Sequence, residues 1–387
     1  MIGLRCAIEA RRRHPDARVV VIEKEEAPGR HASGRNSGVL HAGFYYSADS
    51  FKARFTREGN ARLTAYCRER ELAINRCGKL VVARGPEELP VLDELLRSAL
   101  RNRVDLVSVD AAEAAEIEPR VRTHERALYS PSTATVDPGE VVAAFAREAR
   151  ELGVELCVGR AYRGRVGKRD ALRTSEGDIA AGYLINAAGL YADRIARDYG
   201  FGDRYRVLPF KGLYLRARAD APALRTNIYP VPDLAFPFLG VHLTVGVDGR
   251  ASIGPTAMPA LWRENYRGLA NFRLGEMLEV LRLEGRMFAT NAAGFRDLAL
   301  RELPKLKRRK LVERAAALAR GIRAEDFPDW GRPGIRAQLV DVKEGGLVED
   351  FVLEGDERSL HVLNAVSPAF TCAMPFAEFV LGRVGDR

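Results

Sequence analysis

The sequence has few cysteines and no long apolar run, and each absence argues against particular classes of protein. Five cysteines are scattered over 387 residues without a C-x-x-C pair. Neither a disulfide framework nor a zinc site fits that pattern, and a reducing cytoplasm is expected. No stretch of about 18 uncharged apolar residues occurs, which argues against a membrane-spanning helix. Charged residues interrupt the apolar ones from the first turns onward, so we expect no signal peptide.

Lysine is also scarce, because nine of the 61 basic residues are lysine and the rest are arginine. A net charge of +9 first suggests nucleic acid, but the arginines are spread from end to end among 52 acidic residues. We interpret them as solvated helix faces and expect no nucleic-acid partner. Weak attraction to an anionic membrane surface or an acidic substrate is the alternative. The length suits two domains or one interleaved unit.

The start of the chain is typical of half a dinucleotide-binding unit. Residues 3–14 have helical periodicity, residues 18–22 form an apolar strand pattern, and Glu23 and Lys24 follow directly. In such a unit, an acid at the end of the second strand binds the ribose, about 20 residues after the glycine loop. Gly3 would be the last glycine of that loop. The first strand and two glycines are missing, so we expect the natural start to lie upstream. The alternative is an ordinary helix and strand of an α/β domain.

Residues 31–46 follow this strand and are rich in small and polar side chains. Small residues let backbone amides approach phosphate groups, and serine and asparagine add donors. A glycine-rich surface loop is the alternative. The candidate cofactor contacts in this segment are Ser33, Asn36, Ser37 and Gly38.

The same segment carries a specific resemblance. From Asn36 to Tyr46 the chain reads N-S-G-V-L-H-A-G-F-Y-Y. This resembles the L-2-hydroxyglutarate dehydrogenase/oxidase family, within the D-amino-acid-oxidase-like group of FAD proteins. Further similar segments follow in the same order over nearly the whole chain. They stand at residues 51–54, 77–83, 135–137, 227–233, 237–242 and 363–369.

The resemblance implies a mixed α/β (α+β) fold, in which a Rossmann-like FAD-binding domain is interleaved with an antiparallel-sheet substrate domain. We assign residues 1–75, 136–204 and 331–387 to the FAD-binding domain. The substrate domain then comprises residues 76–135 and 205–330. The hydrophobic pattern agrees with this division. Helical periodicity occurs at residues 50–70, 138–152 and 368–382, and residues 261–325 are mainly helical. Residues 207–256 alternate apolar and polar like antiparallel strands.

FAD is the implied cofactor, and the resemblance extends its predicted contacts. Residues 187–189 resemble a second FAD signature, with a tight strand-to-helix turn as the alternative. Residues 334–336 resemble a Gly-x-Arg segment that returns the chain to the flavin, and residues 367–371 would point helix dipoles at it. Tyr162 stands where related proteins often place a small apolar residue against adenine. Outside residues 31–46, the predicted contacts are Gly3, Glu23, Lys24, Tyr162, Ala188, Gly189, Gly334, Ser367 and Thr371.

The implied reaction is oxidation of a 2-hydroxy acid. A hydride leaves C2 for the flavin, a base accepts the hydroxyl proton, and cations hold the carboxylates. His41 and His242 both lie in family motifs, and either suits the base. Arg336 is the predicted carboxylate ligand, and Lys211 stands at a position that the family usually gives to arginine. Hydrogen-bond donation to the substrate or simple packing are equal interpretations for Tyr45 and Tyr229, and no metal is expected.

The leading hypothesis is a cytoplasmic FAD enzyme that oxidises L-2-hydroxyglutarate, a dicarboxylate, to 2-oxoglutarate. Its electrons would pass to oxygen or to a membrane quinone, and the basic balance mildly favours an encounter with the inner face of the membrane. One alternative is a related FAD oxidoreductase that acts on an amino acid or glycerol phosphate. The other is an inactive, flavin-free truncated homologue.

Overall fold

The computed structural model describes residues 1–167, 171–233 and 240–385. Part of one family-like segment, residues 237–239, therefore lies outside the described residues. The α-helices of the described residues are α1 (Ile2–Arg13), α2 (Phe51–Glu69), α3 (Leu89–Asn102), α4 (Ala111–Ile117), α5 (Pro138–Glu151), α6 (Ala192–Asp198), α7 (Leu274–Thr290), α8 (Phe295–Glu302), α9 (Arg308–Ala316) and α10 (Ala369–Gly385).

Short β-strands occupy much of the rest of the chain. In the first half they are β1 (Val20–Ile22), β2 (Val39–Leu40), β3 (Ile74–Asn75), β4 (Lys79–Val82), β5 (Val107–Asp110), β6 (Arg126–Ser130), β7 (Ala134–Val136), β8 (Glu155–Cys157), β9 (Tyr162–Arg165), β10 (Ala171–Thr174), β11 (Gly177–Ala180) and β12 (Leu184–Asn186). In the second half they are β13 (Tyr205–Gly212), β14 (Leu215–Arg216), β15 (Asn227–Pro230), β16 (His242–Val245), β17 (Ala251–Gly254), β18 (Met258–Pro259), β19 (Asp329–Trp330), β20 (Gly334–Asp341), β21 (Gly346–Leu347), β22 (Val352–Gly355) and β23 (Ser359–Asn364).

Two parallel strand pairs carry the predicted cofactor segments. β1 pairs with β8, and β12 pairs with β23, which also takes β22 in antiparallel orientation. The connection from β1 to β8 contains helices α2 to α5, as parallel pairing requires a long crossover. Glu23 and the turn at residues 187–189 both follow the carboxyl end of a parallel strand, where ligands bind in open α/β sheets.

The largest sheet has the order β19-β14-β17-β16-β15-β4-β6-β5. Its pairs are antiparallel except that β15 runs parallel to β4. β13 and β18 belong to a different sheet, with the order β18-β13-β20-β21. Within residues 207–256, β14 to β17 pair antiparallel in one sheet as expected. β13 departs from that expectation, because alternation predicts a strand and its buried face but not its neighbour.

Helices α1 and α2 both pack against α10. Phe55 of α2 and Phe376 of α10 are fully buried, with ring centroids 5.7 Å apart. α5 begins where the Asp137 carboxylate accepts the amide hydrogens of Gly139 and Glu140, at 2.7 and 3.1 Å. This cap fixes the start of α5 beside α1, so α1 is held between two helices with its first turn at the site described below.

The ladder between β13 and β20 runs from Tyr205 opposite Asp341 to Gly212 opposite Gly334. It joins residue ranges that we assign to the two domains, and that division stays a prediction. Each of the five cysteines lies in the described residues and carries a free thiol, as expected. None of the helices that the structure describes is long and apolar enough to cross a bilayer.

Candidate functional site

A cavity of about 1910 Å³ gathers nearly all the candidate residues. Its volume exceeds the roughly 300–1,000 Å³ that is usual for drug-sized ligands, so a dinucleotide and a small substrate fit together. Of the predicted site residues, Lys211 and Gly38 alone lie outside its lining. The fold therefore brings most of the predicted site residues together around one cavity.

Glu23 lies at one end of the cavity, directly after β1. Its backbone N–H donates to the carbonyl of Cys157 at 2.9 Å, and its carboxylate accepts the amide hydrogen of Glu25 at 3.0 Å. Tyr162 lines the same end, and its hydroxyl donates to Asp198 at 3.0 Å. This arrangement holds the Glu23 carboxylate at the cavity wall, where a ribose could donate to it.

The first turn of α1 meets the turn after β12. A Cβ added at Gly3 would stand 3.6 Å from the Cβ of Ala187, an ordinary packing distance. The amide of Ala188 donates to the Asn186 side chain at 3.1 Å, and Gly189 has φ +55°, which favours glycine. The two predicted FAD segments therefore share one wall of the cavity.

The Asn36 side chain organises the glycine-rich loop. Its amide group donates to the carbonyls of Ala32 and Ser33 at 3.1 and 2.9 Å, and its oxygen accepts the amide of Gly38 at 2.9 Å. Ser33 and Ser37 line the cavity beside it. The two serines are thus left as the side-chain donors of this loop, while Asn36 fixes its shape.

Gly38 and Gly334 are required by close backbone contacts. Gly38 has φ +72°, and an added Cβ would lie 2.0 Å from the carbonyl oxygen of Val136. Gly38 therefore serves the pairing of β2 with β7, and it lies outside the cavity. A Cβ at Gly334 would lie 2.2 Å from the carbonyl oxygen of Arg35. Gly334 does line the cavity, and its lack of a side chain brings β20 against the predicted cofactor loop.

The N-terminal end of α10 faces the cavity, with Ser367 and Thr371 in its wall. The Thr371 hydroxyl accepts the amide hydrogen of His41 at 3.1 Å and donates to the carbonyl of Val39 at 3.3 Å. α10 is 17 residues long, and helix N-termini favour negative charge. Thr371 thus ties that helix end to the strand that delivers His41.

Two buried histidines, His41 and His242, line the same cavity. The His242 ring stacks on Tyr229, with centroids 3.8 Å apart and planes 15° apart. Nδ1 of His242 lies 2.8 Å from the carbonyl oxygen of Gly240, so this nitrogen carries the hydrogen and Nε2 keeps its lone pair. Nδ1 of His41 is buried without a hydrogen-bond partner among the described residues.

Both imidazoles are neutral at neutral pH. Burial lowers the pKa of His41 to about 3, and the positive charge of Lys79 acts in the same direction. Burial likewise lowers the pKa of His242 to about 3, assisted by Lys79 and Arg336. A neutral imidazole accepts a proton, so the site holds two groups that are ready to act as a base.

Lys79 is a cation that the sequence analysis did not single out. Its side chain is completely buried, and its ammonium lies 4.5 Å from the ring centroids of Phe44 and Tyr45 and 5.0 Å from that of Tyr229. Its Nζ has no hydrogen-bond partner among the described residues. Burial lowers the pKa of Lys79 to about 7. The family-like segment 77–83 contains this lysine, but nothing in the strand pattern indicates that it is caged by aromatic rings.

Arg336 and Lys211 do not share a face, contrary to the prediction that both hold the substrate. In the ladder of β13 and β20, Arg336 lies opposite Phe210 and Lys211 lies opposite Ile335. Neighbouring positions of a strand point to opposite faces, and paired residues point to the same one. Arg336 lines the cavity and Lys211 does not. Lys52, which the sequence analysis also missed, lines the cavity, and burial lowers its pKa.

Three potential metal-ligand atoms lie within 4.8 Å of one another, on Glu25, His31 and Glu264. All three are engaged with neighbours. Lys24 pairs with Glu25 and lies 2.8 Å from Glu264, and His31 contacts Glu25 and the hydroxyl of Tyr266, each at 2.9 Å. The group forms an ion-pair network that fixes Lys24 at the cavity wall.

Comparison with protein families gives a match over residues 1–380, to the family described as FAD dependent oxidoreductase. The chain is 34% identical to the mitochondrial L-2-hydroxyglutarate dehydrogenase of Nematostella vectensis, over 100% of this chain and 89% of that protein. It is 33% identical to the L-2-hydroxyglutarate dehydrogenase of Escherichia coli strain K12, over 99% of this chain and 91% of that protein.

Solved structures share the fold at lower sequence identity. An L-alpha-glycerophosphate oxidase from Mycoplasma pneumoniae with FAD bound superposes with a TM-score of 0.75 at 18% identity, covering 99% of this chain and 92% of that one. A glycine oxidase from Geobacillus kaustophilus gives a TM-score of 0.70 at 21% identity, covering 100% and 91%. The expected fold class is thereby confirmed.

Proposed function

We propose, from the premise that the chain belongs to the FAD dependent oxidoreductase family, that it oxidises L-2-hydroxyglutarate to 2-oxoglutarate. The substrate is the one named for the full-length relatives at 33–34% identity. A hydroxy acid with two carboxylates needs cations for binding and a base for its hydroxyl group. Both kinds of group are present at one end of the cavity.

The main support for this proposal is that two neutral imidazoles lie beside two cations. The neutral imidazoles of His41 and His242 lie beside the charges of Lys79 and Arg336, as their lowered pKa values record. Glu23 and most of the other predicted FAD contacts line the same cavity. A base and anion-binding groups therefore share one enclosed space with the cofactor wall.

The residues present fit FAD on the evidence of their own contacts. Gly334, which has no room for a side chain beside Arg35, lines the cavity. The first residues of α10 also line it, and a helix N-terminus favours an anionic group. We propose that Glu23 binds the adenosine ribose, and that Ser33, Ser37 and the turn at residues 188–189 bind the diphosphate. Lys24, Tyr162, Gly3, Ser367 and Thr371 complete the proposed contacts.

When bound, FAD supplies the acceptor for the hydride that leaves C2. The chain itself binds the substrate, orients it and takes the hydroxyl proton. We propose that Nε2 of His242 takes this proton, because Nδ1 is committed to Gly240 and the ring is held by its stack on Tyr229. Arg336 binds one carboxylate, and the buried hydroxyl of Tyr45, which lacks a described partner, donates to the substrate.

An anaerobic titration of the purified holoenzyme with L-2-hydroxyglutarate tests the proposal. We expect the flavin absorbance band to bleach with the L isomer and to persist with the D isomer. Glycine, sarcosine and glycerol 3-phosphate serve as competing substrates in the same assay. Bleaching by one of these instead would replace the proposed substrate. Protein that takes up no FAD on reconstitution would mean a flavin-free homologue.

We further propose that the electrons pass to a membrane quinone, and that the protein works in the cytoplasm as a peripheral protein at the inner face of the membrane. The net charge of +9 supports attraction to an anionic surface. Stopped-flow reoxidation of the reduced flavin tests the acceptor. A soluble quinone analogue should reoxidise it faster than air-saturated buffer does, and equal rates would leave oxygen as the acceptor.

A further inference from the structure

Exposed apolar side chains are concentrated in one part of the surface. Residues 261–300 contain eight of the large apolar side chains that the described residues expose, whereas the others are scattered singly. Isolated exposed apolar residues are ordinary, but a concentration marks an interaction surface. We define the α7 face as the members on α7 and the loop before it, which are Leu269, Phe272, Leu274, Leu278, Leu281 and Phe288.

α7 carries apolar side chains on two different sides. Val280 and Met287 are each 2% exposed and pack with Phe210 against the sheet of β13. The exposed side chains on the helix itself are Leu274, Leu278, Leu281 and Phe288. They are four, three and seven residues apart, and this spacing places them on one stripe along the helix. With 3.6 residues per turn, the centre of that stripe lies about 115° around the helix from Val280. Packing among the residues that the structure describes explains only the buried side, which leaves the α7 face open to a partner outside the chain.

Arginines border the α7 face. Five arginines are exposed there, namely Arg267, Arg273, Arg282, Arg286 and Arg296. Asp297 is the one exposed acid that the structure describes between residues 267 and 300. Apolar side chains flanked by arginine are the pattern of helices that lie on anionic membranes. A second copy of the chain is disfavoured as the partner, because pairing through this face would bring arginine borders together.

The α7 face also adjoins the cavity. Phe272 and Arg273, at the start of α7, are exposed and at the same time line the cavity. We infer that the α7 face docks the protein on an anionic lipid bilayer, with this edge of the cavity against the membrane. This deepens the proposed function by naming the surface through which a lipid-soluble acceptor reaches the cavity.

Sedimentation of the holoenzyme with vesicles tests the inference without measuring activity. Vesicles of equal parts phosphatidylglycerol and phosphatidylcholine are compared with pure phosphatidylcholine at low salt. We expect binding to the anionic vesicles only. The double variant Leu278→Gln/Leu281→Gln should bind at least about tenfold more weakly, and Arg282→Gln/Arg286→Gln should weaken binding and reduce its salt dependence. The matched control is Leu100→Gln/Val107→Gln, which changes exposed apolar residues elsewhere and should bind like wild type.

Equal binding of wild type and Leu278→Gln/Leu281→Gln would overturn the inference, as would no binding of wild type to anionic vesicles. Light scattering after size exclusion identifies a third result. If wild type is a dimer without vesicles and this variant is a monomer, the α7 face is an interface between copies instead. Flavin bleaching by L-2-hydroxyglutarate should be the same in all variants. Vesicle binding without bleaching would retain the docking surface and reject the proposed substrate.

Discussion

At the scale of single residues, His41 and His242 differ in how their ring nitrogens are used. Nδ1 of His242 is bound to Gly240, so replacing the ring removes a fixed proton acceptor. We expect His242→Gln to slow anaerobic flavin reduction by about 10²- to 10⁴-fold with FAD still bound, and His41→Gln to slow it less than about tenfold. Rapid-scan spectroscopy measures both rates.

The matched control for this comparison is Tyr229→Phe, which keeps the ring that stacks on His242. Its rate should stay within a few-fold of wild type. If His41→Gln proves the slower of the two histidine variants, the assignment of the base passes to His41. A loss of FAD absorbance in either variant would show that its histidine holds the cofactor site together.

Lys79 acts on both histidines through its charge. Removing the charge in Lys79→Met should raise the pKa of His41 and of His242, because the ammonium lowers both. The base works only when neutral, so the acidic limb of kcat/KM should move to higher pH. Lys52→Met is the matched control, since Lys52 also lines the cavity but does not contribute to either pKa shift. If the acidic limb of kcat/KM does not move in Lys79→Met, the charge of Lys79 does not act on the base.

At the scale of elements, the loop between β1 and β2 depends on Gly38. Alanine there would meet the carbonyl of Val136 and would also be strained at φ +72°. Gly159 has the same φ of +72° with nothing within 4 Å of an added Cβ. Gly159→Ala should therefore cost about 1 kcal/mol of unfolding free energy from strain alone. Gly38→Ala should cost at least about 2 kcal/mol more, because a backbone contact must break.

Urea unfolding measures both glycine variants. Equal losses would mean that β2 and β7 move apart readily, and that the turn conformation is the whole reason for glycine at position 38. A loss of FAD in Gly38→Ala, with the fold retained, would instead show that the loop shape is transmitted to the cofactor wall.

Elements with a single clear period were predictable from the sequence. The helix over residues 138–152 follows from a proline and a glycine at its two ends and one apolar stripe, and the structure has it as α5 (Pro138–Glu151). Pairing was not predictable in the same way. The parallel contact of β15 with β4 brings Asn227 opposite Lys79 from 148 positions away in the chain, and no local pattern records that neighbour.

The candidate site shows the same limit. Glu23 and His242 are predicted from their neighbours in sequence, and both line the cavity, while their roles stay predictions. Lys211 was misplaced because its side depends on the register with β20. Lys79 was missed because its aromatic cage comes from β15 and from the loop after β2. Sequence patterns therefore indicate residues whose setting is local, and they do not indicate neighbours that the fold brings together from distant segments.

At the scale of the whole molecule, buried histidines couple stability to pH. Burial lowers the folded pKa of His41 and His242 to about 3 and of His361 to about 4, from 6.5 in the unfolded chain. Between those values the unfolded chain binds protons that the folded protein excludes. The contribution of these histidines to the free energy of unfolding is therefore fully present above pH 6.5. It decreases as the pH falls, by about 1.4 kcal/mol per pH unit for each histidine.

Glu284 acts in the opposite direction. Burial raises its folded pKa to about 7, so between pH 7 and 4.5 the folded protein binds a proton that the unfolded chain does not. Lys79, with a folded pKa of about 7, is charged in both states below that pH and adds nothing in this range. Three histidines against one glutamate leave a net uptake of about two protons on unfolding near pH 5.5.

The slope of unfolding free energy against pH measures this balance directly. Near pH 5.5 we expect these groups to make wild type lose about 2.5 kcal/mol per pH unit on acidification, which corresponds to nearly two protons. Glu284→Gln keeps a neutral side chain in the same place and removes the opposing proton, so its slope should steepen to about 4 kcal/mol per pH unit. A wild-type slope near zero would mean that the folded protein admits protons to these histidines, and the neutral base that the proposed reaction needs would then not exist at acidic pH.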